Sequence, residues 1–88
     1  MKLLATPRFL KSIPLGRQSE VFEVMRSAAT AFGQPNLHAG IGLRRIPPFM
    51  ECHCGLDLRL VFQREKEALV FHLCGSHAAV KTFLKHHR

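Results

Sequence analysis

Between Phe49 and His77 two turn signals separate three apolar segments of strand length, and this stretch constrains the rest of the chain more than any other. Gly55 and Asp57 interrupt the first pair of segments, the charged run Arg64 to Glu67 separates the second pair, and Gly75 closes the third. The pattern predicts an antiparallel meander with strands at 49–54, 57–63 and 68–74. In the middle strand Leu58, Leu60 and Phe62 alternate with Arg59, Val61 and Gln63, which predicts one apolar face and one open face with a cation at its centre. In the first strand the same alternation separates Met50, Cys52 and Cys54 from Phe49, Glu51 and His53. An acid, an imidazole and a guanidinium are therefore expected on a common side of the sheet.

Eighty-eight residues suit one domain, 1–88, and a domain of that size buries only roughly 60–65% of its unfolded surface. A single sheet face covered by helices is the expected solution. Thirteen Lys and Arg against six Asp and Glu give a formal charge of +7, with six His besides. Polyanions are the natural partners of such a chain. Nucleic acid is favoured over membrane, because the cations are scattered and no stretch approaches the roughly 18 apolar residues of a spanning helix. Met1 to Ala5 is too short and too weakly apolar for a signal segment, so a cytoplasmic location is expected. The odd number of cysteines fits reduced core residues better than a disulfide.

Ahead of the meander, Lys2 to Ala5 is a short apolar run suited to an edge strand, and Thr6-Pro7 reads as an N-cap with proline at the first helical position. The helix that begins there carries Phe9, Leu10 and Ile13 inward and stops before Pro14. Beyond Gly16, Val21, Met25, Ala28 and Phe32 recur at helical spacing and predict a second helix over 17–32. The two form a helical hairpin whose apolar side lies on the sheet. Gly33 to Pro48, with three Gly and three Pro, reads as a long irregular connection in which His38, Arg44 and Arg45 can meet a phosphate. After the meander Ser76 caps a last helix with Val80, Phe83 and Leu84 on its apolar side and Lys81, Lys85, His86, His87 and Arg88 exposed. The expected class is mixed α/β (α+β).

Metal ligation is the first chemistry to weigh, since Cys52-His53-Cys54 and His72-Leu73-Cys74-x-x-His77 supply ligand types. The spacing argues against it, because a strand turns Cys52 and Cys54 to one face and His53 to the other, and neither cluster has an ordinary structural zinc spacing. No metal or other cofactor is expected. Gly40-Ile41-Gly42 alone is no nucleotide fingerprint, and Ser76 beside His77 reads as a helix cap rather than a nucleophile. Phosphate chemistry remains. Arg59, His77, Glu51 and His53 can converge on one concave surface bordered by Arg44 and Arg45, holding a phosphate between guanidinium groups and supplying an acid and a base. Cleavage of RNA by its own 2′-hydroxyl needs that set. The plainer alternative is an Arg59 that is solvated, or paired with Glu51.

The runs Gly42-Leu-Arg-Arg-Ile, Phe49-Met-Glu, Leu58-Arg-Leu-Val-Phe and Leu69-Val-Phe-His-Leu-Cys-Gly-Ser-His, followed by a short helix, resemble the RelE/ParE superfamily of bacterial type II toxins across nearly the whole chain. The resemblance implies two N-terminal helices packed on a small antiparallel sheet, a short C-terminal helix, and neutralisation by a cognate antitoxin. In the RelE branch it implies an mRNA interferase, a hydrolase that cuts mRNA on the ribosome and inhibits translation. Arg59 then matches the strand arginine that grips the scissile phosphate, and His77 the basic residue that acts on the leaving oxygen. Glu51 and His53 fall where some relatives carry two lysines. Arg44, Arg45, His38, Lys81 and Lys85 are the expected RNA contacts. The chain departs from the pattern in having no Tyr or Trp and in Ala78, where many relatives have an acid. A gyrase poison of the ParE type and a non-catalytic nucleic-acid-binding protein are the alternatives.

Overall fold

The meander forms where its alternation places it, and two further strands extend it. In the computed structural model, which describes residues 1–33 and 42–87, the elements run β1 (Lys2–Ala5), α1 (Pro7–Ser12), α2 (Gln18–Gly33), β2 (Arg44–Ile46), β3 (Phe49–Cys54), β4 (Leu58–Glu65), β5 (Ala68–Gly75) and α3 (His77–His87). They build one five-stranded sheet in the order β1-β5-β4-β3-β2. The strands β2 to β5 are antiparallel. The expected all-antiparallel sheet is corrected at its edge, because β1 runs parallel to β5 with Lys2 opposite Ala68 and Ala5 opposite Phe71. Its direction follows from the topology: the chain crosses the sheet by way of α1 and α2, enters at the far edge and returns strand by strand, so β5 arrives beside β1 pointing the same way.

Local chemistry sets the helix limits. The Thr6 hydroxyl accepts the Phe9 N–H at 3.1 Å, Pro7 opens α1, and the backbone turns extended at Ile13, one residue ahead of Pro14. The Ser12 hydroxyl accepts the Cys74 N–H at 2.9 Å and ties the end of α1 to β5. On this side of the sheet α1 and α2 bury Phe9, Val21 and Ala28 against Leu60, Phe62 and Phe71, all with no exposed surface. Phe62 and Phe71 stack with ring centroids 4.9 Å apart. Each large apolar side chain of this layer contributes about 1.5–3 kcal/mol by leaving water. Cys52, Cys54 and Cys74 are free thiols buried in the same layer.

The opposite face is not open. Phe49 and Val61 make a second apolar cluster with Val80, Phe83 and Leu84 of α3, so helices cover parts of both faces. A β-bulge brings β5 into the second cluster. Val61 pairs with Leu73 but Phe62 pairs with Phe71, leaving His72 as the extra residue of β5. Phe71 and Cys74, an odd number of residues apart, both serve the first core, and Leu73 packs in the second. The connection expected to be irregular over Gly33 to Pro48 contains β2, and the charged turn is shorter than expected because β4 runs on to Glu65.

Candidate functional site

Beside α3 lies a cleft of about 210 Å³ whose polar wall is Arg44, Glu51, His77 and Lys81, with Ile46, Val80 and Leu84 as its apolar wall. Each polar group has a local reason to be there. Arg44 of β2 stands opposite Glu51 of β3. His77 is the first residue of α3, and Lys81 follows one turn later on the same helix face. The Ser76 hydroxyl accepts the Ala79 N–H at 3.2 Å, which caps the helix and fixes where His77 emerges.

Arg59 approaches from the next strand and donates from Nη1 to Glu51 Oε1 at 2.8 Å. The Glu51 side chain is 4% exposed and that of Arg59 25%. Glu51 pairs with Val61 and Arg59 with His53, so the ion pair runs diagonally across β3 and β4. The expected free cation on an open face is therefore corrected: Arg59 is half-buried, and a carboxylate stripped of water holds it. His53 is exposed, with its ring against Gly42, where an added Cβ would come within 3.1 Å of Nδ1. With φ at +58°, Gly42 occupies a backbone region that L side chains rarely adopt.

The remaining expected contacts divide. Lys85 is exposed one turn beyond Lys81, outside the cleft wall. Arg45 is not beside Arg44 in space. Adjacency in sequence suggests a single basic loop, but 44–46 is a strand, and its alternation turns Arg45 to the face that carries α2 rather than α3. There it lines a separate groove with Phe32, Met50 and Arg64, a cation that the charge pattern alone assigns to a turn. His38 lies outside the described residues.

Two clusters have other roles. Arg17 donates to Glu20 at 2.9 and 3.0 Å and to Asp57 at 2.6 Å, joining the start of α2 to the turn between β3 and β4. These hydrogen bonds to Arg17 hold both carboxyl groups below their usual range. Burial pushes the Cys52 thiol up to about 12 and that of Cys74 to about 11, so neither offers a thiolate near neutrality. Among the described residues no three His, Cys, Asp or Glu side chains gather as a metal site requires. Nor is any described helix long and apolar enough to cross a membrane.

Comparison with solved structures gives matches over about nine tenths of the chain. A copper-bound mutant toxin from Helicobacter pylori superposes with a TM-score of 0.72 at 22% identity, covering 91% of this chain and 98% of its own. The Escherichia coli DinJ-YafQ toxin-antitoxin complex contains a match with TM-score 0.68 at 15% identity, over 90% of this chain and 94% of the other. The RelB-RelE antitoxin-toxin complex from Methanococcus jannaschii gives 0.62 at 8% identity, over 91% and 96%. The fold is that of the RelE-like toxins. No protein-family model matches the sequence, and no curated protein matches it. At these identities the likeness to RelE-like toxins is one of fold, and function rests on the cleft.

Proposed function

We propose that the chain is the toxin of a type II toxin-antitoxin system and acts in the cytoplasm as a metal-independent endoribonuclease on translated mRNA, one domain sufficing. The observation that carries this reading is the cleft in which His77 faces Arg44, Lys81 and Glu51, with Arg59 held by Glu51. Arg44, Arg59 and Lys81 surround a phosphate and stabilise the charge that builds on its oxygens. His53, opposite Arg59, takes the proton of the 2′-hydroxyl, whose oxygen attacks the phosphorus, and His77 gives a proton to the departing 5′-oxygen. A cyclic phosphate and a free 5′-hydroxyl result. Glu51 is a positioning residue in this scheme, because its carboxylate is occupied by Arg59. Lys85 extends the basic face of α3 along the RNA backbone.

The Arg59–Glu51 pair also favours a second reading, since a cation already neutralised binds phosphate less strongly: a gyrase-poisoning toxin without nuclease activity. Expression in cells separates the two. Loss of protein synthesis with mRNA cut inside codons is expected, whereas a DNA-damage response with intact mRNA would replace the nuclease by the gyrase poison. His77→Gln is expected to slow cleavage by roughly 10²–10⁴. An unchanged rate would remove the proton-transfer role. The partner proposed is an antitoxin, as in the DinJ-YafQ and RelB-RelE complexes of similar fold.

A further inference from the structure

The two arginines of β2 point to opposite faces, and the second opens onto a groove that the nuclease scheme does not use. This groove, of about 330 Å³, is lined by Phe32, Arg45, Pro47, Pro48, Met50 and Arg64 together with the edge of Phe49. Its size suits a nucleotide. Among the described residues no carboxylate lines it, and neither Arg45 nor Arg64 has an acid within 4.0 Å. The Arg64 guanidinium lies over the Phe32 ring, 5.0 Å from its centroid, and that ring makes a T-shaped contact with Phe62, centroids 6.2 Å apart. A guanidinium lying over an aromatic ring offers a surface on which a base stacks, and Arg45 on the same groove wall supplies a phosphate contact.

β2 is also the outer strand of the sheet. Arg44 reaches the cleft from one side of this edge and Arg45 reaches the groove from the other, so one strand of RNA passing over β2 meets both. We infer that single-stranded RNA leaving the cleft wraps the β2 edge and seats a nucleotide in a second site made by Arg45, Arg64 and Phe32. This rests on the RNA reading of the cleft but predicts a separate, non-catalytic contact. Arg64 also sits over the last turn of α2, which has no basic residue of its own there, and a purely structural role in complementing that helix end is the competing account.

The test uses a 2′-O-methyl oligoadenylate, which cannot be cleaved, and the matching dinucleotide as probes of the whole chain, with affinity measured across a salt series. Arg45→Gln, Arg64→Gln and the double variant are compared with Lys81→Gln in the cleft. The double variant should bind the longer probe roughly tenfold more weakly, with the salt slope reduced by roughly 0.7 for each phosphate left without its cation. Its dinucleotide affinity and its cleavage of a dinucleotide substrate should stay as in the parent. Arg45→Gln, which leaves the Arg64–Phe32 contact in place, should give part of the effect with an unchanged melting temperature. An unchanged slope and affinity in the double variant, with melting lowered in Arg64→Gln, overturns the site in favour of the helix-end role and leaves the nuclease standing. Weakened binding in the groove variants with none in Lys81→Gln removes the cleft reading and with it the path from cleft to groove, overturning the inference in favour of a stand-alone RNA contact. An oligoglutamate that binds the parent and loses affinity in the double variant as much as RNA does would make the groove a site for acidic protein segments and overturn the RNA assignment.

Discussion

Glu51 keeps almost no contact with water, and a carboxylate so placed gives its partner Arg59 a structural role. From sequence alone Arg59 is an exposed phosphate ligand whose removal leaves melting unchanged; the ion pair reverses that expectation. Arg59→Ala should cost about 1–3 kcal/mol, less than the loss of a fully buried pair because a quarter of the Arg59 side chain remains in water. Arg59→Lys should recover most of it. Thermal melting of both variants checks this, and an unaltered midpoint in Arg59→Ala would show that water satisfies Glu51 without its partner. The pairing was legible as the plain alternative to catalysis, since Glu51 and Arg59 share a face on neighbouring strands. Its burial was not, because nothing in either strand announces that α3 will lie alongside. His72 makes a second residue-scale prediction. Burial among Phe49 and Phe83 lowers its pKa from the ordinary 6.5. A depressed value favours the neutral ring in the fold, so its contribution is full above about 6.5 and is lost as pH falls through the lower folded value. Melting temperature should decline through that window, and His72→Gln, which cannot titrate, should flatten the decline.

At the scale of elements, α3 decides whether there is a cleft. Its apolar residues Val80, Phe83 and Leu84 are readable at helical spacing, yet their destination is not, because Val61 between Arg59 and Gln63 looks like a lone apolar residue on a polar face. Phe49 and Val61 reach that face by the alternation of β3 and β4, but Leu73 joins them only because the His72 bulge shifts β5, and a bulge leaves no mark in an alternating apolar run. The caps, by contrast, are written plainly in Thr6-Pro7 and in Ser76. Ser76→Ala should destabilise α3 by about 1 kcal/mol and weaken the hold on His77, so cleavage should fall by more than the folded fraction does, whereas Ser76→Asp should preserve both. Equal activity in the alanine variant would show that packing alone fixes His77. β2 is hidden for a different reason. Three residues among glycines and prolines give no period, and only pairing with β3 makes them a strand. The same pairing separates Arg44 from Arg45, which adjacency in sequence joins.

For the molecule as a whole, a formal charge of +7 sets how a partner arrives more than how long it stays. Association with the antitoxin proposed above should slow as salt rises from about 50 to 500 mM, while dissociation, governed by desolvated apolar anchors, should change much less. Stopped-flow association and dilution kinetics test this with the product of the neighbouring reading frame, and a salt-independent association rate would mean that charge does not guide the encounter. The parallel pairing of β1 with β5 bears on time rather than affinity. β1 is made first and its partner begins only at Ala68, so the long loop between them cannot close until most of the strands exist. Phe9 waits for Phe71, and the Ser12 hydroxyl waits for the Cys74 N–H. His77 and Lys81 are translated after that. A nascent chain that has not yet reached His77 and Lys81 therefore has no cleft, however much of its sheet is already paired.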